Sequence, residues 1–225
     1  MKIRLVNEPL DIYLDEIEDK FNILIVESKT LLFQIIHDIN TQINGNYGDF
    51  VLSIDDEPID LKNNLELIIN PFDLDINNRK ILSAIQKLAI IETKNEIHYS
   101  ETNQLISLIE TYAQNISFSF DGNITPKTEI TSESLIKMIN YQVDIFSTNF
   151  DEKLFEYLLN SNKYLNTQVF CFINLFSYFE NTQIDQLIKS CNNYHIHVIF
   201  IESFDSKYHN NNCKKLIIDS DFCHI

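Results

Sequence analysis

The sequence predicts an α/β protein, with a parallel-sheet head interrupted by a mainly helical insertion. Three observations carry that reading. Short apolar runs, such as Phe21-Asn22-Ile23-Leu24-Ile25-Val26 and Val198-Ile199-Phe200-Ile201, have the length of strands covered on both faces. Helical periodicities alternate with those runs, which implies parallel pairing through right-handed crossovers. From about Asp75 to residue 148 the period shifts to longer helical stripes. The bulk agrees: 225 residues, 44% of them hydrophobic and 36 of them Ile, suffice for a sizeable core and exclude disorder as the main description.

Taken in order, the opening reads as strand, turn, strand, with Ile3 and Leu5 alternating and Asn7-Glu8-Pro9 breaking the pattern. Phe21–Val26 is the next strand. Ser28 or Thr30 caps a helix that buries Leu31, Leu32, Ile35, Ile36 and Ile39. Phe50–Ile54 is a strand closed by the acidic turn Asp55-Asp56-Glu57. Asp75 is placed as the cap of a helix with Ile76, Leu82, Ile85, Leu88 and Ala89 on one stripe. A second helix carries Leu105, Ile106, Leu108, Ile109, Tyr112 and Ala113, and the two suggest a helical hairpin. Ile116-Ser117-Phe118-Ser119-Phe120 alternates with period two, and Asp121-Gly122-Asn123 turns the chain. Thr131 or Ser132 starts a short helix with Leu135, Ile136 and Ile139. The α/β rhythm then returns with a helix around Leu154–Leu159, a strand at Val169–Ile173, a helix capped by Thr182, a strand at His197–Ile201 and a last strand at Lys215–Ile218. The domains expected are a head of residues 1–74 with 149–225 and a leg of 75–148.

The charge is −16 and uneven: residues 1–74 carry −10, and the two later thirds −3 each. Phosphate binding rests on Lys and Arg, so the total argues against nucleic acid unless cations gather on one face. No apolar run is long enough to span a bilayer, and the N-terminus lacks a secretory pattern, so a cytoplasmic protein with no membrane partner is expected. The four cysteines form no Cys-x-x-Cys pair and read as reduced thiols. A set of Cys213, Cys223, His209 and His224 matches no usual zinc spacing. His195 and His197, two apart on a strand, are read as edge or packing residues. Glu27-Ser28-Lys29-Thr30 occupies the place of a nucleotide loop but has none of its glycines, so a helix cap is the simpler reading. Asp121, Glu129, Glu133 and Asp144 flank a turn and a short helix, where oxygens suited to a hard cation could meet; read from composition alone they are surface acids.

Several segments, in this order, carry a resemblance: Asn22–Glu27, Asp73–Asn77, Glu129–Thr131, Leu135–Lys137, Phe155-Glu156, Phe172–Asn174 and Val198–Glu202. Over nearly its whole length the chain resembles the ring-forming, double-stranded-DNA-binding adaptation proteins of type II-A CRISPR loci. The resemblance implies a homotetrameric ring of α/β heads, like a phosphate-loop ATPase fold without its loop, with helical legs. It implies no catalysis, binding of linear double-stranded DNA ends, and work beside the integrase complex and effector nuclease of the locus. It also implies calcium, with Asp121, Glu129 and Asp144 as ligands and Glu133 as a weaker one; Ser117, Ser119 and Ser134 fall where relatives carry acids. Arg79, Lys80, Lys127 and Lys137 are the cations expected to line the ring, Lys137 matching a basic position of the family. Two other readings stand beside it: a metal-dependent nuclease or nucleotide-hydrolysing enzyme, and a pure interaction scaffold.

Overall fold

The computed structural model describes residues 2–16, 21–127 and 129–224. In chain order the strands and helices are β1 (Ile3–Asn7), β2 (Ile12–Glu16), β3 (Phe21–Val26), α1 (Lys29–Ile43), β4 (Phe50–Ile54), β5 (Glu57–Ile59), α2 (Leu61–Asn64), β6 (Leu65–Ile68), α3 (Arg79–Glu92), α4 (Tyr99–Ser117), α5 (Ser132–Met138), α6 (Phe150–Leu165), β7 (Val169–Ile173), α7 (Asn181–Asn193), β8 (His197–Glu202) and β9 (Cys213–Ile218). They fall into two compact units, residues 1–76 with 145–225, and residues 77–144.

The larger unit is α/β and holds a five-stranded sheet in the order β6-β7-β8-β3-β9, with every pair parallel. β3 lies between β8 and β9, and all six of its residues are buried, which is why its sequence is apolar at every position but Asn22. Phe200 of β8 sits inside an aromatic group, 5.9 Å from Phe21, 5.8 Å from Phe172 and 5.3 Å from Phe176 between ring centroids. α1 begins where Ser28 accepts the Leu31 N–H, and it buries Leu31, Ile35 and Ile39.

A single parallel sheet does not describe the unit completely. β1 and β4 join a second, antiparallel sheet in the order β2-β1-β4-β5. Short hairpin links make that pairing possible: Asp55 and Asp56 both have positive φ, the conformation of a two-residue turn that matches the strand twist. Glu57 belongs to the edge strand rather than to the turn. Ile3, Leu5, Ile12, Leu14, Phe50 and Leu52 bury the inner face of this sheet in the same core as β3 and α1. Gln42 closes the α1–β4 connection, its amide donating to the Phe50 carbonyl at 2.8 Å and accepting the Phe50 N–H at 3.0 Å.

The smaller unit is helical, with α5 against both α3 and α4. Asn78, not Asp75, caps α3, accepting the N–H groups of Lys80 and Ile81 at 2.9 and 3.1 Å. Ile76 lies before the helix and is buried, while the Asn77 side chain is held by the backbone of Val143. Ile116–Phe120 is no strand. α4 runs to Ser117, and Phe118 and Phe120 stand exposed in the following turn. The described elements of this unit are all helices, so its backbone groups pair within helices rather than across strands. Thr131 caps α5, as one of the two expected starts. In the larger unit α7 starts two residues earlier than expected, with Glu180 as its cap and Gln183 accepting the Glu180 N–H at 3.0 Å, because Thr182 already lies inside the helix. His195 is not on a strand: it has φ 56° and turns the chain into β8. Among the described residues no helix is long and apolar enough to cross a membrane.

Candidate DNA-binding and metal-binding residues

The β3–α1 junction is the place where a phosphate loop would lie in such a sheet. Here it is two residues long. The Glu27 N–H bonds to the Ile218 carbonyl at 3.0 Å, and the Ser28 hydroxyl is occupied by the helix cap. Backbone amides that would surround a phosphate need a longer, glycine-rich turn. Lys29 and Thr30 are exposed on the first turn of α1.

The four acids singled out for a metal are all exposed and lie on different local structures. Asp121 is in the bend after α4, beside Gly122, whose φ of 112° makes the turn. Glu129 lies in the extended stretch before α5. Glu133 is in the first turn of α5 and pairs with Lys137 at 2.6 Å; that hydrogen bond holds its carboxyl below the usual range. Asp144 follows the Val143 backbone that Asn77 holds. Among the described residues no three Asp, Glu, His or Cys side chains converge as a metal ion requires. The donors are hard oxygens of the right kind for calcium, but within one chain they are not gathered, so the set as it stands does not fit the ion.

The three serines singled out beside the candidate acids are placed as follows. Ser117 is buried and donates to the Gln114 carbonyl at 2.7 Å. Ser134 completes a capping box with Thr131: its hydroxyl accepts the Thr131 N–H at 2.9 Å, and its own N–H donates to the Thr131 hydroxyl at 3.1 Å. Ser119 lies exposed in the turn after α4. Two of the three therefore shape helix ends.

All four candidate DNA-contacting cations are exposed. Arg79 and Lys80 are the first two residues of α3, where the helix dipole favours anions, so two cations there add their field to that of the dipole. Lys127 is in the connection ahead of α5. Lys137 in the last turn of α5 is half neutralised by Glu133, which makes it the weakest of the four as a phosphate contact.

One charged residue outside the candidate set has an unusual setting. Glu202, the last residue of β8, is almost wholly buried. Its Oε1 accepts the Phe176 N–H at 3.3 Å, while Oε2 has no partner. Burial pushes its carboxyl up to about 7. The legible signal was a Glu directly continuing four apolar strand residues.

The CRISPR-associated protein (Cas_Csn2) family profile matches residues 42–222. The chain belongs to that family. It is thereby a CRISPR-associated adaptation protein of an antiviral system. Among solved structures, cbiO1 from Clostridium perfringens, part of the ABC transporter complex cbiONQ, is similar with a TM-score of 0.45 and 9% identity, over 93% of this chain and 77% of that one.

Proposed function

We propose that the protein is a non-catalytic, sequence-independent binder of double-stranded DNA that assembles as a homotetrameric ring and serves spacer acquisition. Family membership over residues 42–222 carries the reading. The capped, two-residue β3–α1 junction supports the absence of nucleotide chemistry at that position. Arg79 and Lys80 at the positive end of α3 supply a phosphate contact without any base-reading element. An acidic exterior repels DNA, so binding requires the cations to be gathered on an inner surface, which a ring reaches only from a free end. The partners in this reading are linear double-stranded DNA ends and the integrase complex and effector nuclease of the same locus. Calcium joins the proposal for the assembled protein, in which Asp121, Glu129 and Asp144, with Glu133, would have to be drawn together or completed by further oxygens.

A labelled linear duplex and its covalently closed circular form, incubated with the protein and calcium at one salt concentration, test the reading. The linear form is expected to be retained intact and the circle to be left free. Equal affinity for the two forms overturns threading through a ring, and cleavage of either overturns the non-catalytic assignment.

A further inference from the structure

The antiparallel sheet turns one face to the core and leaves the other uncovered. Its register sets the outer face row by row: Val6 stands opposite both Tyr13 and Val51, and Arg4 opposite Asp15 and Ser53. Tyr13 is 45% exposed and Val51 50%, so an apolar row crosses three strands in contact with water. Next to it is a groove of about 550 Å³ with Val6 and Val51 in its lining and Glu8, Asp49 and Asp56 around it.

The charges around this groove are almost all of one sign. Arg4 is held by Asp15 at 3.0 Å and by Asp56 at 2.5 Å, and Lys2 lies 3.6 Å from Asp56. The cations beside the groove are thus neutralised within the sheet. Glu8 and Asp49 are exposed and have no side-chain partner among the described residues. They keep their full field.

An apolar row with an unpaired acidic rim selects its occupant by charge. A second copy seated face to face would bring like charges together, which is costly. DNA and an anionic lipid surface are repelled for the same reason. A protein segment that holds phosphates through exposed lysines and arginines carries the opposite sign. We infer that the outer face of the β2-β1-β4-β5 sheet is the docking surface for a basic protein segment, which would lay an apolar side chain on Val6 and Val51 and its lysines or arginines against Glu8 and Asp49. The inference rests on the reading that the protein works beside DNA-handling proteins of its locus, and it adds which surface receives them. It also assigns the excess acid of the first third a use: holding a cationic partner on the side of the molecule that DNA avoids.

The test compares the full-length protein with its Glu8→Lys/Asp49→Lys variant for binding to the purified integrase of the locus by interferometry, and for binding to a short linear duplex by gel shift. Both residues are exposed and unpaired, so the variant should melt like wild type, and a Glu8→Gln/Asp49→Asn form guards against a folding defect. Wild type is expected to bind the integrase with an affinity that falls with salt. The reversed variant should lose about tenfold or more of that affinity, the neutral variant less, and duplex binding should not weaken in either. Integrase binding that is unchanged in the reversed variant overturns this surface and leaves the DNA-binding reading standing. Wild type that retains duplex but no integrase also overturns it. Wild type that retains neither removes the functional reading beneath it.

Discussion

The two units spend their apolar residues differently. In the larger unit β3, β7 and β8 are buried nearly end to end, and Phe200, Phe172, Phe170 and Phe21 are closed off from water. In the helical unit Ile81 and Ile136 are the buried apolar side chains among the described residues, with Thr93, Thr102 and Ser117 as buried polar ones. α4 shows the contrast within one helix: Leu105, Leu108, Tyr112 and Ile116 fall on a stripe at helical spacing, and each is 42% exposed or more. Three helices with so little enclosed apolar surface have a thin core of their own, and an exposed apolar stripe of this length is a candidate contact surface. The larger unit is stabilised from within; the smaller one encloses few apolar side chains of its own.

The hardest way to break that contrast is to damage the self-sufficient unit. Phe200→Ala removes the centre of the aromatic group and should cost about 3–5 kcal/mol, enough to unfold much of the protein at ordinary temperature. Denaturation in urea, followed by far-ultraviolet circular dichroism, would read this as a midpoint moved far downward. A loss below about 1 kcal/mol would mean that the core relaxes around the gap and is not the rigid part it is taken to be.

A Leu108→Lys/Tyr112→Lys variant acts on the other side of the comparison. Both side chains are 66% exposed, so the fold of the larger unit should be untouched while the stripe loses its apolar character. The expected result is a smaller mass in gel filtration, with a melting transition of the sheet within about 1 kcal/mol of wild type. An unchanged mass would show that the stripe meets no other copy.

A pH-dependent effect, confined to one buried carboxyl, concerns Glu202. Its carboxyl sits up to about 7 in the folded protein against 4.5 ordinarily, because burial disfavours the charged form. The folded state therefore holds a proton that the unfolded chain has released, and stability falls as pH rises from about 4.5 to about 7 and then levels off. Glu202→Gln should remove a decline on the order of 3 kcal/mol at most between pH 5 and pH 8. Parallel stability profiles for the two proteins would show that Glu202 does not titrate in this way.

The parts of the fold that could be read in the chain are those decided locally. β3 and β8 are each built on a run of four apolar residues, Ile23–Val26 and Val198–Ile201, Ser28 caps α1 from the residue before the helix, and Thr131 does the same for α5. Pairing is not local. Nothing in Ile3–Asn7 or Phe50–Ile54 distinguishes an antiparallel partner from a parallel one, and Leu65–Ile68 is four residues, too short to stand out. Ile116–Phe120 failed for a related reason, since five residues of alternation fit the end of a helix as well as a strand. The acids at Asp121, Glu129, Glu133 and Asp144 were legible as residues but not as a site. Their separate positions on a bend, an extended stretch and a helix follow from backbone paths that composition does not encode.

One feature of the antiparallel sheet limits how the protein can associate. β5 is one of its two edges, only three residues long, with Pro58 at its centre. A proline presents no N–H to an incoming strand, so this edge is a poor template for growth by strand addition. Raising the protein concentration should therefore not feed a fibre from this edge. A sheet face open to a partner and a sheet edge closed to further strands let the molecule be sticky in one direction without being prone to aggregate in the other.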